Sequence, residues 1–419
     1  MDYKRLAFVF AAFSIISIVV LFVLANNSEK RASSVEIIEA VENDKEDSES
    51  EYDYLPGDVA KSKLAEANKR QQEEKKSSDE SVESPQEVEE LKEITMILSS
   101  VSKDIRIRVM DAEGIAEGVS WVVNIRDDSG YKEVIRDEDE DGLIHVTDIS
   151  SGRYYVMLDP EAGYNIPGDE VALNVRDQIS YTAIPDISFE IKTEDQIDPT
   201  IEDTAKLDEV DEGQKYEIVS DGIKGIDVSK WNKVIDWNKV RASGVEYAII
   251  RCGYRGSSTG ALVLDPYWDF NWNQARAAGI KTGVYFFTQA LNETEAVEEA
   301  SMVISLLDGA QTDYPIFIDV EGSGGRADIL DNNTRTKVIN AFCNTLTAAG
   351  YNSGVYANKN WFSTKINTYE LGNVYKWLAQ YNVSTPTYDG DYNIWQYTSK
   401  GSVAGIEGNV DLNLSYIDF

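Results

Sequence analysis

The sequence predicts a multidomain chain: an N-terminal transmembrane helix, an acidic spacer, a small all-β sandwich and a C-terminal α/β barrel. Three observations predict it. Residues 6–25 are twenty consecutive apolar or small side chains, short alternating runs fill residues 94–193, and beyond residue 221 helical stretches closing on glycine lead three times into apolar strands. With 419 residues the chain is long enough for two or three domains.

The first element, residues 1–25, is expected to be a membrane anchor. As a helix, its apolar run is about 30 Å long, the thickness of one bilayer core. Lys4-Arg5 precede the run and Asn26-Asn27-Ser28-Glu29 follow it, so the basic flank stays inside and the bulk of the chain lies outside the cell in a single-pass arrangement. A cleaved export signal ending at Val23-Leu24-Ala25 is the alternative, although the run is longer than the roughly 7 to 15 apolar residues of such peptides. Residues 26–93 hold about two acidic residues for each basic one and no aromatics other than Tyr52 and Tyr54. Too little apolar surface is present to order them, so they read as a disordered or partly helical acidic spacer.

Residues 94–193 alternate in the manner of half-buried strands, for instance Ile105-Arg106-Ile107-Arg108-Val109 and Tyr154-Tyr155-Val156-Met157-Leu158, with turn residues between runs. This spacing predicts a β-sandwich. Residues 139–156 resemble the turn, strand, turn, strand hairpin of collagen-adhesin B-type and prealbumin-like sandwich domains. Within them Asp137, Asp139, Asp141, Gly142 and Asp148 fall at the 1, 3, 5, 6 and 12 positions of a calcium loop. Strand-like runs rather than helices flank it, and Asp-Gly is an ordinary hairpin turn, so a plain acidic turn is favoured over calcium. Residues 194–220 form a second acidic stretch without apolar periodicity and read as a linker.

Residues 221–419 are the most regular. Arg241-Ala242-Ser243-Gly244, Ala277-Ala278-Gly279 and Ala348-Ala349-Gly350 each end a helical pattern, glycine supplying the left-handed stop, and each precedes an apolar strand. Repeated helix-to-strand units specify a parallel sheet, here a barrel with strands at 225–227, 247–252, 282–287, 316–319, 354–356, 375–380, 393–397 and 410–413. Eight strands fit this length only if the late helices are short or missing. Active sites of parallel barrels sit at the C-terminal strand ends, where Asp227, Asp319, Glu321 and Asp411 are expected.

Composition narrows the chemistry. A single histidine, His145, rules out histidine-based triads and histidine-rich zinc sites, and two distant cysteines, Cys252 and Cys343, are too few for a thiolate metal site. Both cysteines read as buried thiols. Carboxylates remain, and Asp319 and Glu321 stand at i and i+2 after an apolar run, about 6.6 Å apart on one strand face. Acids so close couple, one holding a proton while the other stays ionised. Taken singly, Asp227 or Asp411 could instead cap a helix.

Gly-Ile-Asp-Val-Ser from Gly225, Ile-Asp-Val-Glu ending at Glu321, the two Gly-Val-Tyr repeats, Trp395-Gln396-Tyr397 and Asn409-Val410-Asp411-Leu412-Asn413 together resemble glycoside hydrolase family 25, the Chalaropsis-type lysozymes. The resemblance implies a flattened barrel of five strand-helix units followed by three strands. It implies cleavage of the β-1,4 bond between N-acetylmuramic acid and N-acetylglucosamine in peptidoglycan, without cofactor or metal. Glu321 matches the general acid, Asp319 its partner carboxylate, and Asp227 and Asp411 the two further acids of the groove. Asp319 is expected to orient the substrate's own 2-acetamido group as internal nucleophile, a reading favoured over its direct attack on the sugar. Tyr285, Tyr356, Trp377, Gln380, Trp395, Tyr397 and Arg251 are the expected substrate-binding residues, with Arg251 also able to pair with a groove aspartate.

A formal net charge of −35 makes nucleic-acid partners improbable and gives no attraction to an anionic envelope. The expected protein is therefore a monomeric muramidase whose partners are peptidoglycan and, through its anchor, the membrane. The competing class is a wall-glycan adhesin that binds without cutting.

Overall fold

The computed structural model of the protein describes residues 91–204, 211–213, 217–218 and 221–419. The expected anchor at residues 6–25 and nearly all of the spacer lie outside the described residues. Among the described residues no helix is long and apolar enough to cross a membrane.

Two sheets make up the first part. Strands Val171–Val175, Gly152–Leu158, Val122–Asp127 and Lys132–Arg136 form one in that spatial order, and Thr95–Ser99 and Leu143–Val146 flank Ile105–Asp111 in the other. Alternation sends Ile105, Ile107 and Val109 of one sheet and Val123, Ile125 and Val156 of the other into a shared core, around the buried Trp121. The acidic turn closes on itself: Asp137 accepts hydrogen bonds from the backbone N–H of Glu140 (3.1 Å) and Gly142 (2.9 Å), and Asp141 from that of Leu143 (2.8 Å).

The second part is a closed eight-stranded barrel. Its strands are β1 (Ile223–Val228), β2 (Tyr247–Arg255), β3 (Lys281–Phe287), β4 (Ile316–Asp319), β5 (Ser353–Asn358), β6 (Tyr375–Ala379), β7 (Ile394–Gly401) and β8 (Val410–Ser415). Helices α1 (Trp237–Ala242), α2 (Trp268–Ala277), α3 (Glu293–Leu307), α4 (Asn332–Ala348) and α5 (Lys359–Thr364) follow the first five strands in turn. Strands β1 to β7 are parallel, whereas β8 runs antiparallel to both β7 and β1 and closes the ring between them. The expected five strand-helix units and three helix-free strands are all present. The glycine stops are too, with φ of +91° at Gly244, +74° at Gly279 and +89° at Gly350.

Strand parity divides the barrel core in two. Ile226, Ala248, Ile250, Val284, Ile316, Ile318 and Val355 point outward to the helices, while Tyr247, Ile249, Phe317, Tyr356 and Trp377 fill the interior. The aromatic plug needs room. A Cβ on Gly225 would sit 2.2 Å from the Tyr247 ring, and one on Gly354 2.5 Å from that of Phe317. Below the site, Tyr247 stacks on Tyr314 with ring centroids 4.2 Å apart. Cys252 and Cys343 are free and buried.

The stretch between the two parts packs on the barrel. Ile184 and Ile187 join the barrel's outer core, the Ile184 N–H donates to Ser301 Oγ (2.9 Å), and strand Ile191–Lys192 pairs with Leu262–Leu264 beside β2. Of the acidic residues 194–220, Glu202, Asp203 and Asp211 are buried. Each meets donors the barrel supplies: Glu202 the N–H groups of Ser258 and Thr259, Asp203 the Arg251 guanidinium, and Asp211 Thr398 and Ser399.

Candidate active site

Three inward positions at the top of β1, β4 and β8 carry carboxylates. Asp227 lies opposite Asp411 in the β1–β8 register, and Asp319 ends β4 beside Phe287 of β3. Glu321, two residues past Asp319, lines the same cavity as the other three acids. That cavity holds about 380 Å³ and is also bordered by Ser229, Trp231, Asn232, Arg251, Tyr285, Tyr356, Trp377, Tyr381 and Gln396. Its size falls within the range of sites that enclose a small ligand.

One expectation needs correcting. Asp411 lies near the start of its strand, not at a C-terminal end, because β8 runs opposite to the others and brings its beginning to the face where they finish. The carboxylate still reaches the shared cavity.

Asp227 is held by amide donors rather than by a cation. Gln396 Nε2 (2.9 Å) and Asn413 Nδ2 (2.7 Å) both donate to its Oδ2. Each amide is locked in that orientation from behind. Tyr356 (2.9 Å) and Tyr381 (2.6 Å) donate their hydroxyls to Gln396 Oε1, and Trp377 Nε1 donates to Asn413 Oδ1 (2.8 Å). Burial nonetheless outweighs these bonds and pushes Asp227 up to about 6. Burial, followed by the charges of Glu321 and Asp227, drives Asp319 well above the usual carboxylate range, and Asp319 Oδ1 is buried without a hydrogen-bond partner among the described residues. Asp411 is raised by burial and by the charges of Asp227 and Glu321. Each ionisation in such a set makes the next harder, so the set retains protons near neutral pH.

Arg251, the expected binding residue, is occupied. Its Nε donates to Asp265 (2.7 Å), and its two terminal nitrogens grip both oxygens of Asp203 (3.0 and 2.8 Å). The guanidinium borders the cavity with little capacity left for substrate. Tyr285, Tyr356 and Trp377 line the cavity as expected, Trp377 edge-on to both tyrosines.

Gln380, Trp395 and Tyr397 do not line it. Ile394 belongs to the interior cluster and Gln396 reaches Asp227, so by alternation Trp395 and Tyr397 face away; Trp395 Nε1 donates to the Gln380 carbonyl (2.8 Å). The Gln380 side chain pairs with Thr387. Residues not anticipated are Gln396, Asn413, Tyr381, Trp231 and Asp203. Parity along β7 was the available signal for Gln396, and a tryptophan four residues after Asp227, just past the end of β1, was the signal for Trp231.

A closed α/β barrel that gathers four carboxylates in one cavity suits the acid-base hydrolysis of a glycosidic bond. The profile of the Glycosyl hydrolases family 25 matches residues 226–406. The chain is 30% identical over 199 residues to the uncharacterized protein YegX of Escherichia coli O157:H7, covering 46% of this chain and 69% of that protein. It is 31% identical to the autolytic lysozyme of Clostridium acetobutylicum, covering 46% of this chain and 55% of that one. Among solved structures, the bacterial lysozyme of Streptomyces coelicolor is 24% identical, covering 48% of this chain and 94% of that one with a TM-score of 0.40. The chain belongs to glycosyl hydrolase family 25, and as a member of it is a peptidoglycan hydrolase of the lysozyme class.

Proposed function

We propose that the barrel cuts the β-1,4 bond from N-acetylmuramic acid to N-acetylglucosamine, with Glu321 as general acid. The observation that carries this reading is the convergence of Asp227, Asp319, Glu321 and Asp411 on one cavity. Cleavage requires a proton for the departing oxygen and negative charge near an oxocarbenium-like carbon. Glu321, only half-buried and lining the cavity, meets an entering glycan there and delivers that proton. Asp319, deep and crowded, faces the 2-acetamido group and accepts hydrogen bonding from its N–H as the acetamido oxygen attacks the anomeric carbon. Water then opens the resulting ring, and Glu321 takes back a proton. Asp227, fixed by Gln396 and Asn413, supplies negative charge to the oxocarbenium-like centre.

The apolar residues 6–25, with their basic flank, support tethering to the outer face of the membrane. The acidic spacer then supplies reach, and tethering raises local concentration where net charge gives no attraction. The test is digestion of purified peptidoglycan by the full chain, with identification of the new reducing ends. Reducing muramic acid is expected; reducing glucosamine would assign a glucosaminidase, and release of nothing would leave a binder.

A further inference from the structure

We propose that residues 199–204, which precede the family-matched region, form a second wall of the substrate groove and, together with Trp231, hold an additional N-acetylhexosamine ring of the glycan strand. This deepens the muramidase reading and rests on it.

The segment is fastened by buried groups. Glu202 accepts from the backbone N–H of Ser258 (3.0 Å) and Thr259 (3.1 Å), its carbonyl accepts from the Ser257 N–H (2.9 Å), and Thr204 Oγ1 donates to Ser257 Oγ (2.9 Å). Asp203 clamps Arg251 and also pairs with Lys230 at 2.9 Å. Burial raises the Asp203 carboxyl, but the charges of Arg251 and Lys230 outweigh it and keep the group ionised below its usual range. With its ends fixed in this way, the segment leaves Ile201 54% exposed beside Trp231, which is 66% exposed.

These two side chains face a groove of about 770 Å³ whose other described walls are Asp203, Thr204, Ser257, Ser258, Ser323, Gly324 and Gly325. The groove is continuous with the catalytic cavity, since Asp203 and Trp231 border both. Its far side is the loop that follows Glu321, so a strand seated across Glu321 continues into it. Lys230 Nζ lies 4.8 Å from the Trp231 ring centroid and steadies the indole.

The chemistry suits a sugar. Apolar sugar faces stack on exposed indole, and small hydroxyls and glycine backbone satisfy ring substituents. No lysine, arginine or histidine stands among the described lining residues, and the nearby Lys230 and Arg251 are paired with Asp203, Glu194 and Asp265. A stem peptide with its carboxylates finds no counter-charge there.

The experiment uses the full chain and peptide-free alternating glycans of four and eight sugars, comparing kcat/KM. Wild type is expected to favour the longer glycan roughly five- to tenfold, the scale of one stacked ring. Trp231→Ala and Ile201→Asp are each expected to bring that ratio towards one. Ile201 is a surface side chain, so its variant decides the matter if Trp231→Ala fails to fold. Equal rates on both glycans in wild type, or a ratio kept in both variants, would each overturn the second wall while leaving the muramidase reading intact. No cleavage of either glycan by wild type would overturn both.

Discussion

The catalytic cavity and the junction between the two parts of the molecule both bury several acids, yet treat them in opposite ways. At the junction Arg106 binds Asp104 (2.9 Å) and Glu298 (2.6 Å), and Arg255 binds Glu298 (2.8 Å) and Glu299 (2.9 Å). Burial alone would raise Asp104, but hydrogen bonds with His145 and Arg106 prevail and bring it down to about 2; Glu298 is lowered in the same way by the charges of Arg255 and Arg106. In the cavity the one nearby guanidinium is consumed by Asp203 and Asp265, and Asp227, Asp319 and Asp411 are raised. Glu299 marks the boundary, since its complete burial outweighs Arg255 and pushes it up to about 7. Burial thus raises an acid in either region, and a close cation decides whether the rise is cancelled, as at Asp104 and Glu298, or not, as in the cavity.

The largest test of this contrast is Glu321→Gln, expected to lower kcat roughly 10³-fold with an unchanged melting temperature; wild-type turnover on peptidoglycan would remove Glu321 from the mechanism. Next comes Arg106→Ala, which leaves Glu298 with Arg255 alone and Asp104 with His145 and backbone donors, and is expected to cost about 3 kcal/mol in urea unfolding. A loss under half of that would mean Arg255, His145 and the backbone donors sustain the junction acids without Arg106.

Asp227→Asn separates the regions by the sign of their pH response. Asp227 titrates near 6 when folded against 3.8 for a free side chain, so its contribution to stability is complete below about pH 4 and fades as pH rises through 6. Asparagine removes that penalty. The variant should match wild type near pH 4 and exceed it by about 3 kcal/mol above pH 7, while losing activity. Asp104 acts oppositely: folded near 2 against 3.8, it stabilises above about pH 4 and that contribution is lost as pH falls through 2. A wild-type stability curve whose acid side is unaffected by Asp104→Asn would break the comparison. Smallest is Tyr356→Phe, expected to cost about 1 kcal/mol or less, because Tyr381 still donates to Gln396 Oε1.

Much of this site could be read from the residues alone. Alternation along Ile316–Asp319 placed Asp319 inward and carried Glu321 to the same side. The direction of β8 also left a trace that went unused: Gly401 to Val410 is too short for the crossover that a parallel strand needs. Choosing Trp395 and Tyr397 over Gln396 followed aromatic preference where parity was the better guide. Asp203 left no local mark, because its meaning depends on Arg251, a partner 48 residues away that only the folded chain supplies.

The antiparallel strand Val410–Ser415 also fixes when catalysis can begin. It delivers both Asp411 and Asn413, one of the two amides that hold Asp227, and it is the seam between β7 and β1. A polypeptide still under synthesis has every earlier strand yet lacks that seam. Until that strand is in place the cavity lacks one of its four acids and one of the two amides that orient Asp227.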